Sequence, residues 1–311
     1  MNKLFLLDAY ALIYRAYYAF IKNPRINSKG LNTSAVMGFV KEKREEAGEQ
    51  FIDVGIAEEH AVALASGMAK NGGKPVYGVY STFIQRAYDQ LSQDVCINNN
   101  PVTIITFAAS VFGMNDVTHL GIYDIPMMSN IPDLVYLAPT TKEEYLAMLD
   151  WSIEENEHPV AIRVPGGAFI SDGKKITKDF SKLNKYDVTE KGSKAAVIAL
   201  GSFYGLGVEA AKKIEEKTGV KATVINPYYI TGIDSELLES LKADHSVVIT
   251  LEDGILDGGF GQKIASFYGN SDVKVLNYGL KKEFLDRFNA EDVLKENRLT
   301  AEQIAEDVIS L

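Results

Sequence analysis

The sequence predicts an α/β chain: two three-layer αβα domains with mostly parallel sheets, preceded by a short, unrelated β-α fragment. Three observations carry this expectation. Short β-rich runs alternate with helix-period stretches, the alternation breaks once in a lysine-rich polar stretch and then restarts, and residues 1–40 stand outside the pattern. Such alternation describes βα units and a parallel sheet covered on both faces.

Residues 1–40 contain an apolar run, LFLL, followed by a tyrosine-rich stretch, and the charged run KEKREEAGEQ after them reads as a solvated helix or joint. From Phe51 the chain reads strand, helix, strand, helix: FIDV, EEHAVALASGMAK, PVYGVY and FIQRAYDQ. PVTIITF and LVYLAP continue the strands, and TKEEYLAMLDWSIEE has helical spacing. Residues 172–194 show little periodicity and are expected to be a linker. The alternation restarts with AAVIAL, a helix near 206–217, ATVINP, a helix near 235–241 and SVVITLE. The Gly-rich EDGILDGGFGQ then opens another helix, its glycines permitting a tight strand-to-helix turn and close packing. The expected division is a fragment at 1–40, a first domain at 41–171, the linker at 172–194 and a second domain at 195–311.

At 311 residues the chain suits two domains, each able to bury its own core. A net charge of −10 argues against a nucleic-acid surface. Cys96 is the only cysteine, which excludes an internal disulfide and a Cys-based metal cluster. The four histidines are isolated and show no zinc-type spacing. No apolar run approaches the roughly 18 residues that span a bilayer, and the N-terminus lacks signal-peptide character. A cytoplasmic location is expected.

The stretch 51–90 carries the chemistry. G-I-A-E-E-H-A-V over 55–62 and Y-S-T-F-I-Q-R-A-Y-D-Q over 80–90 are long, ordered and gap-free. On these runs the chain resembles the pyrimidine-binding domain of the transketolase-like thiamine diphosphate enzymes, most closely the 1-deoxy-D-xylulose-5-phosphate synthases. The second half is similar to the C-terminal domain of the same family in element order, in V-I-N-P and in G-G-F-G. Residues 1–40 resemble instead the N-terminus of the 5′-nuclease domain of bacterial DNA polymerase I, with Asp8 at the position of a metal-binding acid. One aspartate cannot clamp a pair of divalent ions, so no nuclease activity and no metal ligand are expected from this chain.

The family resemblance assigns roles. Thiamine diphosphate is the implied cofactor, and Glu58 is the acid that hydrogen-bonds its aminopyrimidine ring and drives it into the imino form that acts as base. Taken alone, Glu58 would read as a helix-start acid. Phe83 falls at the stacking position, where an aromatic face adds about 0.5–1.5 kcal/mol, and Tyr80 and Arg86 fall where the family lines the cofactor pocket. Without the motif these would read as a core aromatic and a surface arginine. His119, in N-D-V-T-H-L-G, matches the histidine that contacts the sugar or the covalent adduct. His60 reads equally as a partly buried structural histidine, and His158 and His245 lack context.

Three departures from the family stand out. Its D-R-A-G becomes Phe107, Ala108, Ala109, Ser110, and its R-Y-P-R-G becomes Arg163, Val164, Pro165, Gly166, Gly167. Two arginines aimed at a sugar phosphate are thereby replaced, by Ala108 and Gly166, which should weaken phosphate binding. The carboxylate of D-G-x-T-H shifts by one position, to Asp116. The family's G-D-G motif for Mg2+ and diphosphate does not occur, so those ligands are expected from a diphosphate-binding domain or partner subunit. The expected activity is transfer of a two-carbon or acyl unit from a keto donor to an aldehyde acceptor, by a homodimer or heterotetramer, with the isolated chain inactive. The alternatives are the beta subunit of a 2-oxo acid dehydrogenase decarboxylase component and a non-catalytic dimerising module or chimeric product.

Overall fold

The computed structural model describes residues 4–7, 50–155, 157–167 and 169–311. They form two sheets, mostly parallel, with helices on both faces. The first has six strands in the order β2-β1-β3-β4-β6-β5: β1 Leu4–Leu7, β2 Phe51–Asp53, β3 Pro75–Tyr80, β4 Thr103–Ala109, β5 Val135–Leu137 and β6 Val160–Pro165. The second has five, in the order β11-β10-β8-β9-β7: β7 Asp187–Glu190, β8 Lys194–Ala199, β9 Thr223–Asn226, β10 His245–Ile255 and β11 Lys274–Leu280. All paired strands run parallel except β7, which lies antiparallel on β9 at the sheet edge.

The strands are apolar on both faces because helices cover both. All six residues of β3 are buried, as are Thr223–Asn226 of β9. The helix Lys142–Glu154 starts where the Thr141 hydroxyl accepts from the Glu144 N–H, and the helix Ser235–Leu241 starts where the Asp234 carboxylate accepts from the Leu237 N–H. The helix Tyr204–Thr218 ends on Gly219, whose φ of 71° is the left-handed geometry that closes a helix.

Two expectations about boundaries meet a different arrangement. Strand β1, assigned in sequence to a separate fragment, pairs with both β2 and β3 and so occupies an interior position in the first sheet. The stretch 172–194 carries the edge strand β7 and buries Phe180 and Tyr186, so part of it is built into the second domain. Polar alternation in an edge strand hides it from hydrophobic pattern reading. Asp8 lies outside the described residues.

The Gly-rich turn after β10 serves the protein's own carboxylate. Glu252, fully buried, accepts from the N–H groups of Phe260 and Gly261 at 2.8 Å each, at the start of the helix Phe260–Tyr268. A Cβ at Gly259 would run into that carboxylate, and one at Gly261 would strike the Thr250 hydroxyl. Close packing is therefore what these glycines provide.

The domains share hydrogen bonds and core. Ala138 N–H donates to Tyr228 O and Ile230 N–H to Tyr136 O, both at 2.7 Å, while Ile255 N–H donates to Ile122 O at 3.0 Å. Asn226 donates to Glu144 Oε1 at 3.1 Å. Among the described residues no helix is long and apolar enough to cross a membrane.

Two tests follow from this packing. Removing residues 1–40 takes β1 out of the sheet and strips backbone partners from β2 and β3. The melting temperature is expected to fall by more than about 3 °C, the shift that roughly 2 kcal/mol produces in a chain of this size; an unchanged melt would show that β1 is dispensable. Burial pushes the Glu252 carboxyl up to about 7, against the two N–H donors that favour its charge. The folded state thus keeps a proton that the unfolded chain releases at lower pH, so the group's contribution is present in acid and lost as pH rises through about 7. Glu252→Gln is expected to flatten this part of the stability profile between about pH 5 and 8, measured by urea unfolding.

Candidate active site

The first sheet places its reactive side chains at one end. From β1 the chain moves to β2 on one side and then to β3 on the other. The order therefore reverses at β1, and the carboxyl ends of parallel strands at such a reversal form a crevice. Glu58 follows β2, Tyr80 ends β3, and His119 lies in the loop beyond β4.

Glu58 is the first residue of the helix Glu58–Lys70, behind a turn in which Gly55 takes φ 69° and donates to Asp53 Oδ1. The helix start favours a negative charge there. Glu58 is nevertheless only 2% exposed, whereas its neighbours Glu59 and His60 face solvent. Its Oε2 lies 3.4 Å from Arg86 Nη1. A carboxyl turned inward is not a solvated helix-start charge.

Beyond β3 the chain enters a 3-10 helix, Phe83–Ala87. Three residues per turn stack positions i and i+3 on one face, which brings Arg86 over the Phe83 ring at 5.7 Å. Three rings gather beside this pair: Phe83 and His119 centroids are 5.1 Å apart, Tyr80 and Phe83 5.7 Å, and Tyr80 and His119 6.2 Å, all tilted or edge-on. Glu58, Arg86, Phe83, Tyr80 and His119 are thus joined by consecutive contacts, although 61 residues separate the first from the last. His245 lies apart, buried against the Thr223 hydroxyl at 2.8 Å.

The His119 loop is held from three directions. Its start is tied down where Ser110 N–H donates to Gly121 O at 2.8 Å. A Cβ at Gly121 would overlap the Ser81 hydroxyl, so only glycine closes the loop against β3. The second domain holds its tip, with Val117 N–H donating to Asp286 Oδ1 at 3.2 Å and Arg287 N–H to Asn115 O at 2.6 Å. Sequence reasoning missed Gly121, Gly113 and Asp286, because their importance lies in contacts with distant segments. The T-H-L-G run was the one signal that could have pointed to Gly121.

The departures from the family motifs acquire physical content here. A Cβ at Gly166 would overlap the Gly113 Cα. An arginine at 166 therefore requires the Gly113 loop to move, and restoring it by substitution alone cannot leave this backbone in place. Ala108 and Ser110 adopt φ of 55° and 75°, a left-handed geometry that suits glycine. Ser110 is fully buried, and its hydroxyl has no hydrogen-bond partner among the described residues. Among those residues no cluster of three His, Cys, Asp or Glu could hold a metal ion.

Ser110→Gly, which installs the residue of the resembled D-R-A-G motif, is expected to stabilise the chain by about 1 kcal/mol. It relieves the left-handed strain and the unpaired hydroxyl, offset in part by glycine's larger entropy loss on folding. Denaturant unfolding measures this directly, and destabilisation would contradict it.

Comparison with known proteins bears on the same residues. Residues 8–169 match the model for the transketolase pyrimidine-binding domain, and residues 184–304 that for the transketolase C-terminal domain. The first match begins inside the segment expected to be a separate fragment. A 1-deoxy-D-xylulose-5-phosphate synthase of Clostridium perfringens is 38% identical over 276 residues, covering 88% of this chain and 44% of that protein. The synthase of Clostridium beijerinckii is 40% identical over 265 residues, covering 85% and 42%. The chain thus spans less than half the length of these relatives. Among solved structures, a split-gene transketolase in an inactive β4 tetramer superposes with a TM-score of 0.75 at 23% identity, over 98% of this chain and 97% of that one. A transketolase from Pichia stipitis gives 0.71 at 18% identity, over 99% and 43%. With the two domain matches in chain order, the sheets arranged as described and relatives of about 40% identity, the chain belongs to the transketolase family, of which it carries the pyrimidine-binding and C-terminal domains.

Proposed function

We propose that this chain supplies the aminopyrimidine half of a thiamine diphosphate site in a transferase moving a two-carbon or acyl unit from a keto donor to an aldehyde. The observation that carries the reading is the buried Glu58 carboxyl beside the Phe83, Tyr80 and His119 rings. The residues fit the cofactor. At 3.4 Å the Arg86 contact is long, so the carboxyl keeps acceptor capacity for a ring nitrogen. When bound, thiamine diphosphate supplies the carbon nucleophile. Glu58 holds a proton at the pyrimidine nitrogen, Phe83 offers an apolar face to the ring, and Tyr80 and Arg86 close the pocket wall. His119 meets the substrate.

A partner holds Mg2+ and the diphosphate, in an assembly with a second chain or domain. Two facts support this: the chain covers 44% of the length of a synthase relative, and its length and fold match a split-gene transketolase chain that forms an inactive β4 tetramer. Thiamine diphosphate with Mg2+ is accordingly expected to leave the melting temperature of the isolated chain unchanged, and to raise it once a diphosphate-binding chain is added. A clear rise for the chain alone at micromolar cofactor would contradict the partner requirement. In the reconstituted assembly Glu58→Gln is expected to lower turnover by about 10²–10⁴-fold with an unaltered melt. Near-full activity would return Glu58 to a structural role.

A further inference from the structure

We infer that Asp116 is a positioning residue that locks His119 in its Nδ1–H tautomer, so that Nε2 meets the substrate as a hydrogen-bond and proton acceptor. The role of Nε2 toward substrate rests on the pocket assignment proposed above; the tautomer does not.

The geometry around Nδ1 leaves one arrangement. Asp116 Oδ1 lies 2.8 Å from His119 Nδ1 and accepts from the Thr118 hydroxyl at 2.7 Å. Thr118 Oγ1 is itself 2.8 Å from Nδ1. The hydroxyl has a single proton and directs it to the carboxylate, so both oxygens facing Nδ1 present lone pairs. A bare Nδ1 would set its lone pair against a carboxylate oxygen, whereas an N–H satisfies both. Partial burial acts to raise the Asp116 carboxyl, but the hydrogen bonds from Thr118 and His119 outweigh it and hold the group below its ordinary range, keeping it an acceptor.

The cluster is set in a fixed frame. His119 N–H donates to Asp116 O at 3.1 Å, closing the turn. The second domain grips the same turn through Asp286 and Arg287, at 3.2 and 2.6 Å. The ring stands edge-on to Phe83, with Tyr80 alongside. A neutral imidazole with Nδ1 protonated carries its lone pair on Nε2. The group it serves is therefore a donor, such as a substrate hydroxyl.

The tautomer can be read on the isolated chain, without cofactor or partner. In 15N-histidine-labelled protein at about pH 8, where an ordinary imidazole is neutral, long-range 1H–15N correlation spectra distinguish the protonated nitrogen from the bare one. The His119 signals are identified by their loss in His119→Gln. The expected pattern is a protonated Nδ1 and a bare Nε2. Asp116→Asn, which keeps an acceptor oxygen, should preserve it; Asp116→Ala combined with Thr118→Val should move the proton largely to Nε2 while the melt stays within a few degrees. A protonated Nε2 in the unaltered chain, or no change in the double variant, would overturn the inference. In a reconstituted enzyme Asp116→Ala should lower kcat at least about tenfold, with Asp116→Asn retaining more activity; full kcat in the Ala variant would also overturn it. Failure to reconstitute any activity would count against the proposed function, leaving the spectral result to decide the tautomer.

Discussion

The guanidinium of Arg163, 3% exposed, lies between Asp124 of the first domain and Asp253 of the second, and the relative setting of the domains refers to that contact. Nε and Nη2 donate to the two Asp124 oxygens at 2.7 and 3.2 Å, and Nη1 pairs with Asp253. The flanking groups are hydrogen-bonded in turn: Tyr136 OH donates to Asp124 Oδ2 and Ser202 to Asp253 Oδ2, each at 2.5 Å. Taking a cation and two carboxylates out of water is tolerable only when nearly every polar atom finds a partner. Losing the cation would leave two uncompensated buried charges, at a cost of about 3–5 kcal/mol. Both aspartates keep the guanidinium charged despite its burial.

That network reaches the site. Arg163 Nη2 also donates to Gly121 O at 3.3 Å, the carbonyl that receives the Ser110 N–H. The His119 loop is thus anchored at its root by the ion network and at its tip by residues 286 and 287. Glu58, by contrast, is placed within the first domain, through the turn after β2. The site joins one fixed carboxyl to one histidine whose position depends on how the two domains meet.

The corner around Gly113 and Gly166 is set by backbone contact as much as by side chains. A Cβ at Gly166 would overlap the Gly113 Cα, and one at Gly113 would strike the Ala108 carbonyl. The loss of arginine at 166 is therefore coupled to the path of the 111–115 loop. Ala108 and Ser110 hold left-handed backbone at the end of β4, which marks that corner as shaped by its neighbours against local preference.

Periodicity and motif alone determined much of this protein. The run PVYGVY reads as the strand Pro75–Tyr80, residues 235–241 as the helix Ser235–Leu241, and the strand–helix order of both domains follows from apolar runs with period two or 3.6. The ordered runs around Glu58, Phe83 and Arg86 named the side chains that the fold gathers. Tertiary structure decided the rest. LFLL reads as an isolated apolar run, yet it fills an interior position of the first sheet, because strand neighbours are set by long-range pairing that no local window contains. Arg163 enters the sequence reading only as the first residue of the stretch compared with R-Y-P-R-G, until its two aspartates, 39 and 90 residues away, meet it in the interior. The turn at Asp116 looks in sequence like a displaced carboxylate; only its distances to Thr118 and His119 give it an orientation and a role. Residue type and spacing specify what a segment can become, while charge pairing, backbone approach and tautomer depend on what folding brings within about 3 Å.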